Sequence, residues 1–128
     1  MNLSKGLIKA DIVAARQAID YFNSKKIKDI KNVAAFHLQQ ASEKLIKYQI
    51  YHQVSSVDNR RMYTHDLSRL MDYAAAENIG LYIPKYIREH VNQITEWEAG
   101  SRYDISFSVR IDTLKKCYDI VKEWEECI

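Results

Sequence analysis

The chain of 128 residues has the length of one ordinary globular domain. Its hydrophobic content of 47% suffices for a single core, and its net charge of +2 is too small to imply a nucleic-acid coat. No apolar run is long enough to cross a bilayer and no N-terminal signal pattern is present, so we expect a cytoplasmic protein that does not enter a membrane. Three glycines and one proline leave little turn chemistry for a β-protein. Residues 1–128 are therefore predicted to form one all-α domain.

Amphipathic spacing predicts the first two helices. The first spans about residues 4–23 and the second about residues 29–53, with a basic turn between them. In each helix, apolar residues recur at intervals of four and three positions, which places them on one face. They are Ile8, Ile12, Ala15, Ile19 and Phe22 in the first helix, and Ala34, Leu38, Ala41, Leu45 and Tyr48 in the second. Both faces are predicted to build the core.

Capping and breaking residues predict the next two helices. The Thr64 hydroxyl is the candidate N-cap of the third helix, which should run to about residue 77 and end at Gly80. Pro84 suits the first turn of the fourth helix, and Gly100 is its predicted end. The inward face of the fourth helix carries Ile83, Ile87, Val91, Ile94 and Trp97.

The fifth helix is expected to begin after Ser106 or Ser108. Its inward residues are Leu114, Cys117, Val121 and Trp124. Cys127 lies ten residues beyond Cys117 on this helix, about 15 Å along the axis, so the two cysteines are expected to remain reduced thiols. The short connections between the helices predict an antiparallel up-and-down bundle of four to five helices.

A polar row follows the second helix, about 100° round from its apolar face. It contains His37, Gln40, Lys44 and Lys47, and Glu43 precedes Lys47 by one helical turn. The two lysines can neutralise phosphate, and Gln40 can hydrogen-bond a base or a ribose. The same row also fits a structural role, with His37 and Gln40 as satisfied polar groups at the rim of the core and the lysines as a solvated flank.

Three short segments resemble the HEPN family, the higher eukaryotes and prokaryotes nucleotide-binding domains. The run FHLQQASEKLIKY, within residues 34–51, resembles the second helix of that family. Residues 64–67, Thr-His-Asp-Leu, resemble the signature that begins its third helix, and Arg102-Tyr103 resembles the pair before its last helix. Since the three segments occur in the family's order, the resemblance covers about residues 5–125.

The resemblance implies a nucleotide-binding domain. The candidate residues are His37, Gln40, Glu43, Lys44, Lys47, Arg102 and Tyr103. Arg102 would offer a planar fork to phosphate, and the ring of Tyr48, Tyr51 or Tyr103 would stack on a base. It also implies a homodimer and a separately encoded nucleotidyltransferase partner, since the chain lacks a Gly-Ser followed by the paired aspartates that hold catalytic magnesium. An apolar strip on Tyr21, Tyr82, Tyr86 and Trp97 is a candidate surface for either.

A dimeric, toxin-like endoribonuclease is the first alternative. Some HEPN members are metal-independent ribonucleases with an arginine, four to six intervening residues and a histidine, and only Arg60 with His65 fits that spacing here. Arg60 falls in a predicted loop, whereas the motif is expected near a late helix, and Arg102 has no histidine after it. The enzyme would cut RNA with Arg60 and His65, or with Arg102. In the structural reading, His65 hydrogen-bonds backbone or a carboxylate.

A protein-interaction module is the second alternative, in which Arg102 braces Glu43 or Asp66 across the bundle. A metal site and a cofactor are not expected, because the histidines lie 15, 13 and 25 residues apart and no acidic residue completes a ligand pattern. The histidines are His37, His52, His65 and His90. A basic turn of Lys25, Lys26, Lys28 and Lys31 fits solubility or a weak, salt-sensitive attraction to RNA.

Overall fold

The computed structural model describes residues 3–128, and all regular secondary structure in that range is helical. The helices are α1 (Lys5–Lys25), α2 (Lys28–Gln53), α3 (Asn59–Met62), α4 (Leu67–Ala76), α5 (Lys85–Glu89), α6 (Val91–Tyr103) and α7 (Ile111–Cys127). The prediction of an all-α bundle is confirmed. No helix of the described range is long and apolar enough to cross a bilayer.

Helix α2 is the central element of the bundle. It packs against α1, α4, α6 and α7, while α1 also packs against α7. Only Lys26 and Ile27 connect α1 to α2, so these two long helices form a hairpin. Lys26 adopts the left-handed conformation with φ of 57°, and its N–H donates to the Phe22 carbonyl to close α1. This arrangement places every face of α2 within reach of another helix.

The core contains the apolar faces that the sequence predicted. Every core residue predicted from the sequence is buried except Phe22, Tyr48 and Val91, which are half-buried. Trp97 is only 2% exposed, so its assignment to an exposed strip for a partner is wrong. It packs into the core because it follows Ile94 on the inward face of α6. Cys117 and Cys127 are both free thiols, and burial raises the pKa of Cys117 to about 12.

The start of α4 differs from the prediction. Asp66, not Thr64, is the N-cap, because its carboxylate accepts the backbone N–H groups of Ser68 and Arg69. The Thr64 hydroxyl accepts the N–H of Asp66 instead and so fixes the loop before the helix. The preceding segment, predicted as a loop, contains the short helix α3.

The end of α4 and the fourth predicted helix also differ. Asn78, with φ of 57°, supplies the left-handed residue after α4, so Gly80 is not its cap. The fourth predicted helix is divided at His90 into α5 and α6, and Pro84 is the N-cap of α5. Helix α6 continues through Gly100 to Tyr103. A Cβ at Gly100 would lie 2.5 Å from a Phe107 ring carbon, so glycine is needed here for close packing and not for a helix end.

The last helix begins later than predicted. Its N-cap is Arg110, with φ of −64° and ψ of 139°, and neither Ser106 nor Ser108 caps it. The Ser106 hydroxyl and N–H both donate to the Asp104 carboxylate, so this serine stabilises the loop between α6 and α7. That loop lies beside the first turns of α2 and forms one wall of the cavity described below.

Candidate functional site

Asp11 of α1 holds one half of the polar row on α2. Its carboxylate is buried, with Oδ1 2.8 Å from His37 Nδ1 and Oδ2 2.5 Å from Lys44 Nζ. Burial raises the pKa of Asp11, but the hydrogen bonds and charges of His37 and Lys44 outweigh it, so the pKa lies below the ordinary value of 3.8. Asp11 is therefore ionised at neutral pH and ties α1 to α2.

Glu43 holds the other half of the polar row. Its buried carboxylate accepts hydrogen bonds from Gln39 Nε2 at 3.2 Å and from Lys47 Nζ at 2.8 Å. His65, in the loop before α4, places its Nδ1 2.8 Å from Glu43 Oε1. Gln39 also donates to the His65 carbonyl at 2.9 Å. Glu43 thus fixes the loop that carries His65 against α2.

Glu98 of α6 extends this network to Arg102. The Glu98 side chain is buried, and its Oε1 lies 3.7 Å from His65 Nε2. The Arg102 guanidinium donates to the same carboxylate, and its Nε donates to the Glu98 carbonyl at 3.3 Å. Arg102 therefore pairs with Glu98 and not with Glu43 or Asp66, the two partners that the bracing interpretation named. It reaches the surface from there, with 43% of its side chain exposed.

A cavity of about 610 Å³ lies between the first turns of α2 and the end of α6. It falls within the volume range of small-molecule sites. The Arg102 guanidinium lies 4.8 Å from the centroid of the Tyr103 ring and 5.4 Å from that of Phe36, within cation–π distance of both. The lining residues are Asp29, Asn32, Val33, Phe36, His37, Ser101, Arg102, Tyr103, Asp104 and Ile105.

The charges around the cavity are mixed. Asp29 and Asp104 are exposed carboxylates on its lining, and Arg102 supplies the positive charge. The two hydrogen bonds from Ser106 lower the pKa of Asp104 below 3.8, so this carboxylate is ionised at neutral pH. The Asn32 side-chain oxygen is buried and has no hydrogen-bond partner within residues 3–128. The cavity thus offers a guanidinium, two aromatic rings and several oxygen acceptors.

The comparisons with known proteins identify the family. The family model described as HEPN domain matches residues 12–128, which is nearly the whole chain. The chain belongs to the HEPN family. No curated protein and no solved structure gives a significant match. The resemblance found from the three short sequence segments is therefore confirmed, and HEPN membership supports a nucleotide-binding or ribonuclease-type domain.

The cavity of this HEPN domain brings together three of the predicted nucleotide-binding residues, His37, Arg102 and Tyr103. The other four line no part of it. They are Gln40, Glu43, Lys44 and Lys47, and their side chains belong to the networks around Asp11 and Glu43. Both lysines pair with buried carboxylates away from the cavity, whereas Arg102, although it pairs with Glu98, lines the cavity and is the cation best placed for a ligand there.

Sequence reasoning missed the part of the site that precedes His37. Asp29, Asn32, Val33 and Phe36 line the cavity from the first turns of α2. Their intervals of three, one and three residues place them on one helical face, in line with the polar row that begins at His37. That spacing was a usable signal, because the row could have been followed towards the N-terminus of the helix.

The two residues of the ribonuclease spacing lie in different environments. Arg60 is exposed on α3 and lines a smaller cavity of about 190 Å³. His65 lies outside that lining, and its ring contacts Glu43 and Glu98. In this HEPN domain His65 and Arg102 therefore share the Glu98 carboxylate, while Arg60 belongs to a separate surface.

Proposed function

We propose that this domain binds a nucleotide in the cavity between α2 and α6. The observation that carries the proposal is the position of Arg102, whose guanidinium lies at the cavity wall within cation–π distance of both the Phe36 and the Tyr103 ring. Its free N–H groups suit phosphate oxygens, because Glu98 occupies only its Nε and one terminal nitrogen. The Tyr103 ring is 73% exposed and gives an unpaired base a surface for stacking.

The charge of the cavity favours a ligand with few phosphates. Asp29 and Asp104 suit ribose hydroxyls and base amino groups as hydrogen-bond donors, but they repel additional negative charge. Arg102 is the only lysine or arginine of the lining among the described residues, and with Glu98 on two of its nitrogens it has N–H donors for one phosphate group. We therefore expect a nucleoside monophosphate to bind more tightly than the matching triphosphate.

The proposed cellular role is that of an accessory subunit. HEPN membership supports it, and so does the apolar surface around the cavity, where Val33 is 43% exposed and Ile105 is fully exposed. A second copy of the chain or a separately encoded nucleotidyltransferase would cover this surface and contact the same nucleotide. We place this assembly in the cytoplasm, and a toxin–antitoxin pair is one form that it would take.

The proposal predicts that nucleoside monophosphates raise the thermal-unfolding midpoint by several degrees. Free ligand at a hundred times its Kd stabilises a folded protein by about 2.7 kcal/mol, enough for such a shift in a domain of this size. Arg102→Lys should remove most of the shift, because lysine cannot present a planar fork. Tyr103→Ala should also reduce it, whereas Tyr103→Phe should retain it. Differential scanning fluorimetry with each nucleotide measures all four proteins.

Arg16→Lys is the matched control, because Arg16 lies on α1 and pairs with Asp20 on the same exposed face. This control should keep the full shift. The proposal fails if no nucleotide changes the midpoint of the parent chain, or if Arg102→Lys and Arg16→Lys respond alike.

A metal-independent ribonuclease is the second candidate, and the position of His65 favours it. The His65 side chain is 58% exposed, while the buried Glu43 carboxylate holds its Nδ1. A carboxylate that orients histidine leaves the opposite nitrogen to act as a general base. His65 Nε2 would take the proton of a ribose 2′-hydroxyl, whose oxygen attacks the adjacent phosphorus and displaces the 5′-oxygen. Arg102, joined to the same network through Glu98, would stabilise the extra negative charge.

This second candidate predicts that RNA, but not DNA of the same sequence, is cut in the presence of a metal chelator. His65→Ala should lower the cleavage rate by about a hundredfold or more, the usual contribution of a general base. Arg60→Ala should leave the cleavage rate at saturating RNA unchanged, since Arg60 lies outside the contacts of His65 and Arg102. Cleavage at the parent rate by the purified His65→Ala variant would remove His65 from the reaction.

A further inference from the structure

A second cavity, of about 190 Å³, is formed by α3, the loop after it and the first turns of α4. Its lining residues are Arg60, Arg61, Tyr63, Thr64, Arg69 and Asp72. We propose that this arginine pocket binds a backbone phosphate of single-stranded nucleic acid, with an unpaired base stacked on Tyr63. The polar row of α2 contributes no residue to it.

The arginine pocket has an excess of positive charge. Three guanidinium groups line it against one carboxylate, that of Asp72. Among the three arginines, only Arg69 is ion-paired within the described residues, at 3.8 Å from Asp66, and that Asp66 carboxylate already accepts two backbone N–H groups. Arg61 lies 5.2 Å from the centroid of the Tyr73 ring. Like charges that line one pocket repel each other, and an anion placed among them would offset that repulsion.

Tyr63 indicates which kind of phosphate compound fits. The residue is 91% exposed, although it lies on the wall of the arginine pocket. An aromatic ring beside a cluster of arginines is the arrangement by which proteins bind single strands, because the ring stacks on a base while the cations contact the backbone. In a duplex both faces of a base are stacked on neighbouring bases, so duplexes should bind less well. Phosphopeptides would use the arginines but would leave the Tyr63 ring unused.

The arginine pocket connects with the proposed nucleotide cavity through a short series of contacts. Thr64 lines the pocket, and the next residue, His65, contacts Glu98. Glu98 in turn pairs with Arg102 on the wall of the larger cavity. A strand anchored at the arginine pocket would therefore run past His65 towards Arg102. The proposal stands apart from mononucleotide binding, because the two cavities share no lining residue.

Fluorescence anisotropy with a labelled single-stranded oligouridylate tests the arginine pocket. The double variant Arg60→Ala with Arg69→Ala should raise the Kd about tenfold or more and reduce the slope of log Kd against log salt by about 0.7, the value for one phosphate contact on a single strand. Tyr63→Ala should raise the Kd about fivefold or more, and Tyr63→Phe should leave it unchanged. Arg61 is left intact because it packs on the Tyr73 ring. Circular dichroism establishes that each variant is folded.

Arg16→Ala is the control for loss of one positive charge, because Arg16 lies on α1, which packs against α2 and α7. It should change the Kd less than twofold. The proposal is overturned if the double variant binds as the parent chain does, if Arg16→Ala weakens binding as much, or if a phosphoserine peptide or a duplex binds as tightly as the single strand. Loss of oligonucleotide binding in the double variant with an unchanged mononucleotide thermal shift would support both sites. The same loss without any mononucleotide shift would support only this one.

Discussion

Trp97→Ala is expected to lower the free energy of unfolding by about 3–5 kcal/mol, the usual cost of removing a buried tryptophan side chain. Trp97 is 2% exposed and lies on α6, the helix that also carries Glu98 and Arg102. The substitution removes apolar burial and leaves a space that the surrounding helices cannot fill completely. Urea denaturation of the parent chain and the variant measures the difference.

Tyr82→Ala is the matched control for this prediction. Tyr82 belonged to the same aromatic strip in the sequence interpretation, but it is 52% exposed. Its backbone carbonyl accepts hydrogen bonds from Gln49 and Trp124, and the substitution leaves that carbonyl in place. Its cost should stay within about 1 kcal/mol. Equal losses for Trp97→Ala and Tyr82→Ala would contradict the burial of Trp97 in the core.

Asp11→Ala is expected to lower the free energy of unfolding by about 3 kcal/mol at neutral pH. This is the lower end of the cost of removing one partner from a buried ion pair. The side chains of His37 and Lys44 are 28% and 24% exposed, so water can partly solvate them once Asp11 is removed. Asp20→Ala, which breaks the exposed pair with Arg16, should cost less than about 1 kcal/mol. Urea denaturation at pH 7 compares the two variants.

The contribution of Asp11 should also depend on pH. Since the pKa of Asp11 is lower in the folded chain than its ordinary value of 3.8, the unfolded chain binds the proton more tightly. The ionised carboxylate therefore stabilises the fold fully above pH 3.8, and this stabilisation is lost as the pH falls through the folded-state pKa. Asp11→Asn does not titrate, so its difference from the parent chain should narrow below pH 3.8. A difference that stays constant down to the acid-unfolding range would contradict an ionised, paired Asp11.

The sequence was sufficient for the core of the bundle, because core positions follow from local spacing. Leu38 and Leu45 recur with the period of a helix in α2, as Ile12 and Ile19 do in α1. A helix with that period in a globular domain buries its apolar face. The fifth helix shows the same agreement, since Cys117 and Trp124 point inward as their spacing requires. No contact between distant residues was needed for these predictions.

Helix ends were harder to predict, because they depend on competition between neighbouring candidates. Thr64 and Asp66 both suit an N-cap, and the carboxylate accepts the helix N–H groups while the hydroxyl accepts the N–H of Asp66. Glycine is a residue typical of helix ends, yet Gly100 lies within α6 and leaves room for the Phe107 ring. Only the position of Phe107 on the following loop reveals that role.

The partners of the polar row could not be read from the sequence. Asp11 precedes Lys44 by 33 residues, and nothing in its local pattern separates it from an ordinary surface aspartate. Glu98 is four residues from Arg102, a spacing typical of exposed helical pairs, but the structure buries its carboxylate beside His65. The position of the row follows from helical spacing, whereas the partners of its side chains became visible only in the tertiary contacts.

The ion pairs of the polar row brace the helices around the proposed site. Lys44 pairs with Asp11 and so ties α2 to α1, while Lys47 neutralises Glu43, which holds the loop of His65 against α2. His37 participates in that bracing through Nδ1 and also lines the cavity. The contacts of Glu98 hold Arg102 in place before any ligand is present, which would lower the entropic cost of the proposed nucleotide binding.

An NMR titration of the isotope-labelled chain with a nucleoside monophosphate tests the central claim most directly, because it locates the ligand on the chain. The account predicts saturable shifts at Phe36, Arg102 and Tyr103, which line the cavity between α2 and α6. Val13 and Lys122, in the groove between α1 and α7, should not move. Saturable shifts confined to that groove, or no shifts at millimolar nucleotide, would contradict nucleotide binding in the proposed cavity.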